Sequence, residues 1–395
     1  MMNADDAPVR AVEQQVLRVA AGAQLDVAVD TDRVRLRQII AQCAADVNRT
    51  LTHQVPLELL VDTVARNLCG YGPLDALLSD PDVWEIMVNA PDEIFVKRHQ
   101  NASGYHQDTF HDDAHVERTL TRLLSRAASN QRVLDPAQGL QDAQLDDGSR
   151  IHIVHPDLGR KQHYLVNIRR FSGVTYRSLQ QLVDTGMLTR DAASWLTSVV
   201  ASRRSMLIAG EPGAGKTTLL GCVAATIDPT LRVVTAEDVF ELDIPHPNVA
   251  AMQTRPSRAD QPAIELRRLV SGFLRMAPDV AIVGEIRDQE ALPFLLALSS
   301  GVTGFATIHA SHARQALARL RLLAQLAPHA AQLDTANIGE LVRSTVGVVV
   351  HVSRQNNRPK VNEIVLVNAD DEQPLLTPVF LRDANGVLTQ VSYGA

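Results

Sequence analysis

Eight residues constrain this chain more than any others. Gly210-Glu211-Pro212-Gly213-Ala214-Gly215-Lys216-Thr217 matches the spacing G-x-x-x-x-G-K-[ST]. A loop of this kind curls backbone N–H groups around phosphate oxygens, so it needs a buried strand to launch it and a helix to receive it. Both are written beside it. Ser205-Met206-Leu207-Ile208-Ala209 is an apolar run immediately before, and Thr218-Leu219-Leu220-Gly221 opens a helical run immediately after. Gly210 to Thr217, with Thr218 following, is therefore the candidate phosphate cradle. In it Lys216 supplies a point charge for the β and γ phosphates, and the Thr217 hydroxyl is placed for Mg²⁺.

Such a loop works with carboxylates at the ends of neighbouring strands, which hold metal and orient water. Val280-Ala281-Ile282-Val283-Gly284-Glu285 ends one apolar run in Glu285, and Val233-Val234-Thr235-Ala236-Glu237-Asp238 ends another in two acids. Glu285 is the candidate catalytic and metal-associated carboxylate. Glu237 is a second candidate for water or Mg²⁺, or else a solvated loop acid. Ala306-Thr307-Ile308-His309 places His309 at a further strand end beside Gly301 and Gly304. There it either senses the γ-phosphate or is an ordinary solvated histidine. His312 reads as surface. Arg287 is a phosphate or neighbour contact, or a salt-bridge partner. From about residue 190 strands ending at Ala209, Thr235, Val283, Ile308 and Val350 alternate with helical runs, notably 217–226, 264–276, 290–298 and 314–326. Repeated βα units mean a mostly parallel sheet.

Upstream the pattern differs. Residues 1–69 read as helices, with Val9, Val12, Val16 and Ala20 on one stripe and Val34, Ile39, Cys43 and Val47 on a second. Pro56 opens a third helix with Leu57, Leu60, Val64 and Leu68 on one face. Residues 70–172 read as a compact α+β domain. Its strands fall near 85–89, 93–97, 149–154 and 164–171, and its helix near 114–129 turns Val116, Leu120, Leu123 and Leu124 inward. Residues 173–189 read as a polar linker, and 190–395 as the phosphate-loop domain. Lys plus Arg number 38 against 45 Asp plus Glu, a net charge of -7, and only 4% of residues are aromatic. That disfavours a nucleic-acid translocase, which needs basic and stacking surface. Cys43, Cys69 and Cys222 are widely spaced, which fits a reducing compartment rather than a disulfide framework. No run approaches the roughly 18 consecutive apolar residues of a membrane span, and the acidic start lacks a secretory pattern. The expectation is a cytoplasmic protein.

The motifs together resemble the ATPases of the type II/type IV secretion superfamily, with the Flp/tad pilus assembly group the most similar branch. Gly72-Pro73-Leu74 with Leu77-Leu78, and Asp80 to Asn89, resembles the start of the group's N-terminal domain. Leu145, Asp147-Gly148-Ser149-Arg150 and Ile168-Arg169-Arg170-Phe171 resemble its next two motifs. Thr235-Ala236-Glu237-Asp238 with Glu241-Leu242 is similar to the Asp box, followed by Gln253-Thr254-Arg255. Leu274 to Asp279 leading into Gly284-Glu285-Ile286-Arg287 is similar to the Walker B region. Gly301, Gly304 and Thr307-Ile308-His309-Ala310, then Arg319-Leu320, resembles the His box. Two departures stand out: Val302 where the family usually has His, and Gln144 where it often has Arg. The four-cysteine zinc insert of the type II branch is missing.

The resemblance implies a RecA-like ATPase domain behind a smaller, PAS-like α+β domain. It implies a homohexamer that binds ATP and Mg²⁺, with Thr217, Glu237 and Glu285 around the metal. Arginines of the smaller domain, Arg169 first and Arg150 next, would close over the phosphates or form interdomain salt bridges instead. The motor would sit peripherally at the inner membrane through a platform protein and handle pilin or effector indirectly. A conjugation or effector-transfer ATPase shares every motif. A nucleotide-gated scaffold that does not turn over is disfavoured by Lys216, Thr217 and Glu285.

Overall fold

The structure, a computed structural model, describes residues 7–23, 25, 33–98, 101–126, 133–170, 176–255, 262–328, 334–355, 358–368, 375–383 and 386–391. Phe171 therefore lies outside the described residues. The chain forms two compact units, Met1–Gly173 and Val174–Ala395.

The first unit opens with three helices, α1 (Ala7–Gly22), α2 (Arg33–Thr50) and α3 (Leu57–Cys69). They share a core of Val9, Val12, Val16, Leu36, Ile40, Cys43, Ala44, Leu60, Val64 and Leu68. Of the stripe expected on the second helix, Cys43 is buried and Ile39 and Val47 pack against the core, joined by Leu36 and Ile40, while Val34 in the first turn is exposed. Leu57 is also exposed, at the first turn of α3. The helices are fixed to the rest of the unit by buried polar contacts. Asn67 Nδ2 donates to Glu13 Oε1 at 2.8 Å, and His111 Nε2 lies 3.1 Å from the same oxygen. The buried Arg122 guanidinium donates to the Leu68 and Cys69 carbonyls, satisfying the C-terminal end of α3.

Then come α4 (Leu74–Ser79), β1 (Val83–Ala90), β2 (Glu93–Arg98), β3 (Gly104–Tyr105), α5 (Asp113–Ser125), β4 (Leu140–Gln144), β5 (Arg150–Val154) and β6 (Leu165–Arg169). The six strands make one antiparallel sheet in the order β3-β2-β1-β6-β5-β4. Alternation is clear: Ile86, Val88, Ile94, Val96, Ile151, Ile153, Val166 and Ile168 bury one face with Val116, Leu120, Leu123 and Leu124 of α5.

The second unit runs α6 (Leu179–Asp184), α7 (Arg190–Ala201), β7 (Met206–Gly210), α8 (Lys216–Ala224), β8 (Val233–Glu237), β9 (Val249–Gln253), α9 (Leu266–Ser271), β10 (Val280–Ile286), α10 (Ala291–Ser299), β11 (Thr303–Ile308), α11 (Ala313–Gln325), α12 (Thr335–Thr345), β12 (Val348–Gln355), β13 (Arg358–Asn368), β14 (Leu375–Arg382) and β15 (Leu388–Gln390). The sheet order is β15-β14-β13-β12-β7-β11-β10-β8-β9, parallel from β12 to β9 and antiparallel from β12 to β15. Both faces are covered, as a parallel sheet requires. Leu207, Ala209 and Val283 face a core with α9 to α12, whereas Met206, Ile208 and Ile282 face a second core with α6 to α8. Each of the larger of these side chains, Leu, Ile, Val or Met, stabilises the fold by about 1.5–3 kcal/mol when removed from water.

The segment read as a linker is part of this unit. Of residues 173–189, those from 176 on are described, and they carry α6 with a capping box between Ser178 and Gln181. Leu179, Leu182, Met187 and Leu188 are buried in the second core. Its polar residues hid two leucines three apart, enough for a short packed helix. α12 and the antiparallel strands β13 to β15 likewise lay outside the sequence expectation.

Candidate active site

The phosphate loop is built by the sheet beneath it. All five residues of β7 are buried. Gly210 ends that strand so close to β12 that an added Cβ would stand 2.3 Å from the Val352 carbonyl oxygen. Gly213 and Gly215 then take φ values of 72° and 93°, left-handed backbone that glycine adopts without steric cost. Gly215 leads directly into α8 and no side chain caps that helix, so the amides of its first turn face the loop.

Four strand ends bring the chemistry together. Lys216, only 6% exposed, donates from Nζ to the Glu211 carbonyl at 3.0 Å and lies 3.1 Å from His309 Nδ1. The other ring nitrogen of His309, Nε2, lies 2.5 Å from Glu285 Oε1. Glu285 Oε2 takes a bidentate pair from Arg287, with Nε at 2.7 Å. Arg287 Nη1 is in turn 3.6 Å from Asp238 Oδ2. A continuous chain of polar contacts thus runs Lys216, His309, Glu285, Arg287, Asp238. Nδ1 also lies 3.2 Å from the Gly210 carbonyl oxygen, so that nitrogen faces both a donor, Lys216, and an acceptor, while Nε2 faces the Glu285 carboxylate. Burial pushes the Glu285 carboxyl up, but the His309 hydrogen bond and the Arg287 charge outweigh it and hold the group at about 2.

The sign of that shift gives a test. A carboxyl lowered from 4.5 contributes stability that is fully present above pH 4.5 and is lost as pH falls toward 2. Glu285→Gln is therefore expected to flatten the fall in melting temperature between pH 4.5 and 2, with no change of slope above pH 5. Thermal melts across that range decide it; equal slopes for both proteins contradict it.

Glu237 sits one strand over and is 2% exposed. Its Oε2 accepts from the Glu241 and Leu242 amides at 2.9 and 3.1 Å, shaping the loop after β8. It also packs on Gly284, where an added Cβ would lie 2.9 Å from Glu237 Cγ. Glycine at position 284 is what leaves room for the Glu237 side chain there. The donor set suits a magnesium ion that arrives with phosphates. Among the described residues no group of three His, Cys, Asp or Glu is arranged to hold a metal. Magnesium asks for one or two carboxylates with substrate oxygens and water rather than a full protein cage.

Arg169 and Arg150 belong to the first unit. The register aligns Lys97, Glu85, Arg169, Arg150 and Gln144 across β2, β1, β6, β5 and β4, one straight row on the sheet face opposite α5. Glu85 accepts from Lys97 at 2.8 Å and from Asn167 at 3.1 Å. Gln144 is thus the neighbour of Arg150 in that row. Val302 is half-buried against the core beside α10. His312 is exposed and caps α11 through Gln315 N at 3.2 Å.

Sequence reasoning left Arg287 undecided, and its place two residues past Glu285 was the available signal. It missed Arg354, whose Nη1 donates to the Gly213 carbonyl at 2.9 Å. No local pattern marks that residue, because its position follows from the pairing of β12 with β7.

The family described as Type II/IV secretion system protein matches residues 67–373. The chain belongs to that family. A putative conjugal transfer protein of Mycobacterium tuberculosis is 32% identical over 309 residues, covering 76% of this chain and 85% of the relative. The type IV secretion system protein PtlH of Bordetella pertussis is 30% identical over 304 residues, covering 70% and 87%. Among solved structures, the Legionella pneumophila ATPase DotB aligns with a TM-score of 0.51 at 16% identity, covering 82% of this chain and 83% of that one, which speaks to the fold. No helix among the described residues is long and apolar enough to cross a membrane.

Proposed function

We propose that this member of the type II/IV secretion family is an ATP-hydrolysing motor. The observation that carries the reading is the unbroken contact chain from Lys216 through His309 to Glu285 at the mouth of the phosphate loop. Backbone amides of Gly213 to Thr217 bind the triphosphate, and Lys216 neutralises the β and γ oxygens. Thr217 and Glu285, with Glu237 behind them, would hold Mg²⁺, which when bound spreads the charge of the phosphates. Glu285 stays ionised at neutral pH and accepts hydrogen bonds from the attacking water, orienting it for in-line attack. His309 and Arg287 fix the two oxygens of Glu285, so its orientation is set before substrate arrives. Glu237 holds the loop from 238 to 242 beside them.

Arg169 and Arg150 complete the reading. A triphosphate in transfer needs more positive charge than Lys216 supplies, and these arginines lie side by side on one face of the first unit. Their approach to the γ-phosphate would couple hydrolysis to rotation of that unit. The working form proposed is a homohexamer at the cytoplasmic face of the inner membrane, moving a platform protein of a pilus or secretion apparatus. The Flp/tad pilus branch is part of this proposal. The conjugation or effector-transfer branch is the alternative, favoured by the names of the two relatives above. Electron microscopy of Glu285→Gln protein with ATP and magnesium should show six-fold rings. Monomers alone at micromolar concentration would contradict the hexameric motor, and a polytopic membrane protein retained on those rings would identify the branch.

A further inference from the structure

We propose that Arg354, on the hairpin formed by β12 and β13, is a positioning residue that holds the phosphate loop in its binding shape and so sets nucleotide affinity. The inference rests on the nucleotide-binding reading above. It begins with register: Val352 pairs in parallel with Gly210, the last residue of β7. Two residues on, still on the same face, Arg354 lies beside the loop rather than the strand. Its Nη1 donates to the Gly213 carbonyl at 2.9 Å. Across the hairpin Arg354 pairs with Pro359, and Pro359 Cβ stands 3.1 Å from where a Cβ on Gly215 would be. The hairpin therefore touches both of the loop's left-handed glycines.

The contact acts on a peptide plane. Because the Gly213–Ala214 peptide is planar, fixing the Gly213 oxygen also fixes the Ala214 N–H. That N–H donates to the Glu211 carbonyl at 3.1 Å, closing the turn at the loop's crest. The same Glu211 carbonyl accepts from Lys216. Two cations thus tie the crest, Lys216 through the Glu211 carbonyl and Arg354 through the Gly213 carbonyl. Burial lowers the Arg354 guanidinium from its ordinary value, consistent with a partly dehydrated charge whose field reaches the loop. Two nearby cations are engaged elsewhere: Lys360 donates to the Gly186 carbonyl at 2.5 Å and Arg382 to the Met187 carbonyl at 3.0 Å.

The test compares wild-type protein with Arg354→Ala and Arg354→Lys in binding of a fluorescent ADP analogue with magnesium, alongside steady-state ATP hydrolysis and thermal melting. A lost charge-assisted hydrogen bond to the loop should weaken binding about tenfold. The loss should fall on KM more than on kcat, and Lys should recover part of it by donating to the same carbonyl. The melting temperature should move little. Arg354→Gln, which is shorter but keeps a polar amide end, serves the same comparison if the alanine variant does not fold. Equal affinity in wild type and Arg354→Ala would overturn this inference while leaving nucleotide binding intact. So would a parallel fall of affinity, kcat and melting temperature with no recovery by Lys. Wild-type protein that bound no nucleotide at all would instead overturn the reading beneath it.

Discussion

Glu285→Gln should reduce ATP turnover by about 10²–10³-fold while nucleotide binding persists. The substitution keeps the size of the side chain and removes its charge. A neutral amide is a weaker acceptor for the attacking water and leaves Arg287 and His309 facing a group that no longer balances them. The phosphate loop, Lys216 and Arg354 are untouched, so affinity for ADP should stay near the wild-type value. Phosphate release and equilibrium binding measured on the same preparation separate the two effects. Turnover within a fewfold of wild type would mean that another group orients the water.

Lys216→Ala should be the more complete loss, because it removes binding as well as chemistry. We expect kcat/KM to fall by about 10³-fold or more, the order observed when a preorganised charge on a developing anion is deleted. The side chain is nearly enclosed and spans from the Glu211 carbonyl to His309. Arginine should not rescue it: a planar fork cannot occupy a slot shaped for one compact ammonium. Binding of the ADP analogue should weaken in both variants. A Lys216→Ala protein that retained wild-type affinity would show that the loop amides alone hold the nucleotide.

Much of the second unit was legible because its signals are local. The loop from Gly210 to Thr217 is contiguous, and Glu237, Glu285 and His309 each end a short apolar run. Parallel strands deliver such ends to one side of a sheet. The same logic does not reach Arg354, whose partner Gly213 is far away in sequence and is found only through the pairing of β12 with β7. The antiparallel strands β13 to β15 were missed for a related reason, since they form against a sheet already built. In the first unit helical periodicity located α1, α2 and α3, yet the buried contacts among Glu13, Asn67 and His111 join residues from three separate segments. Polar residues in an apolar stripe give no hint of such partners. The linker expectation over 173–189 failed because composition was weighed above the spacing of Leu179 and Leu182. Arg150 and Arg169 were named from motif resemblance; the register then placed them in adjacent positions of one row.

On the proposed reading one pocket, gripped by Lys216 and faced by Glu285, hydrolyses ATP. Phosphate release by the purified full chain, followed with ATP as magnesium is titrated in, tests it most directly. The account predicts continuous turnover that depends on magnesium and disappears in both Lys216→Ala and Glu285→Gln. Release that is missing from folded, nucleotide-bound wild-type protein, or that survives in either variant, would contradict it.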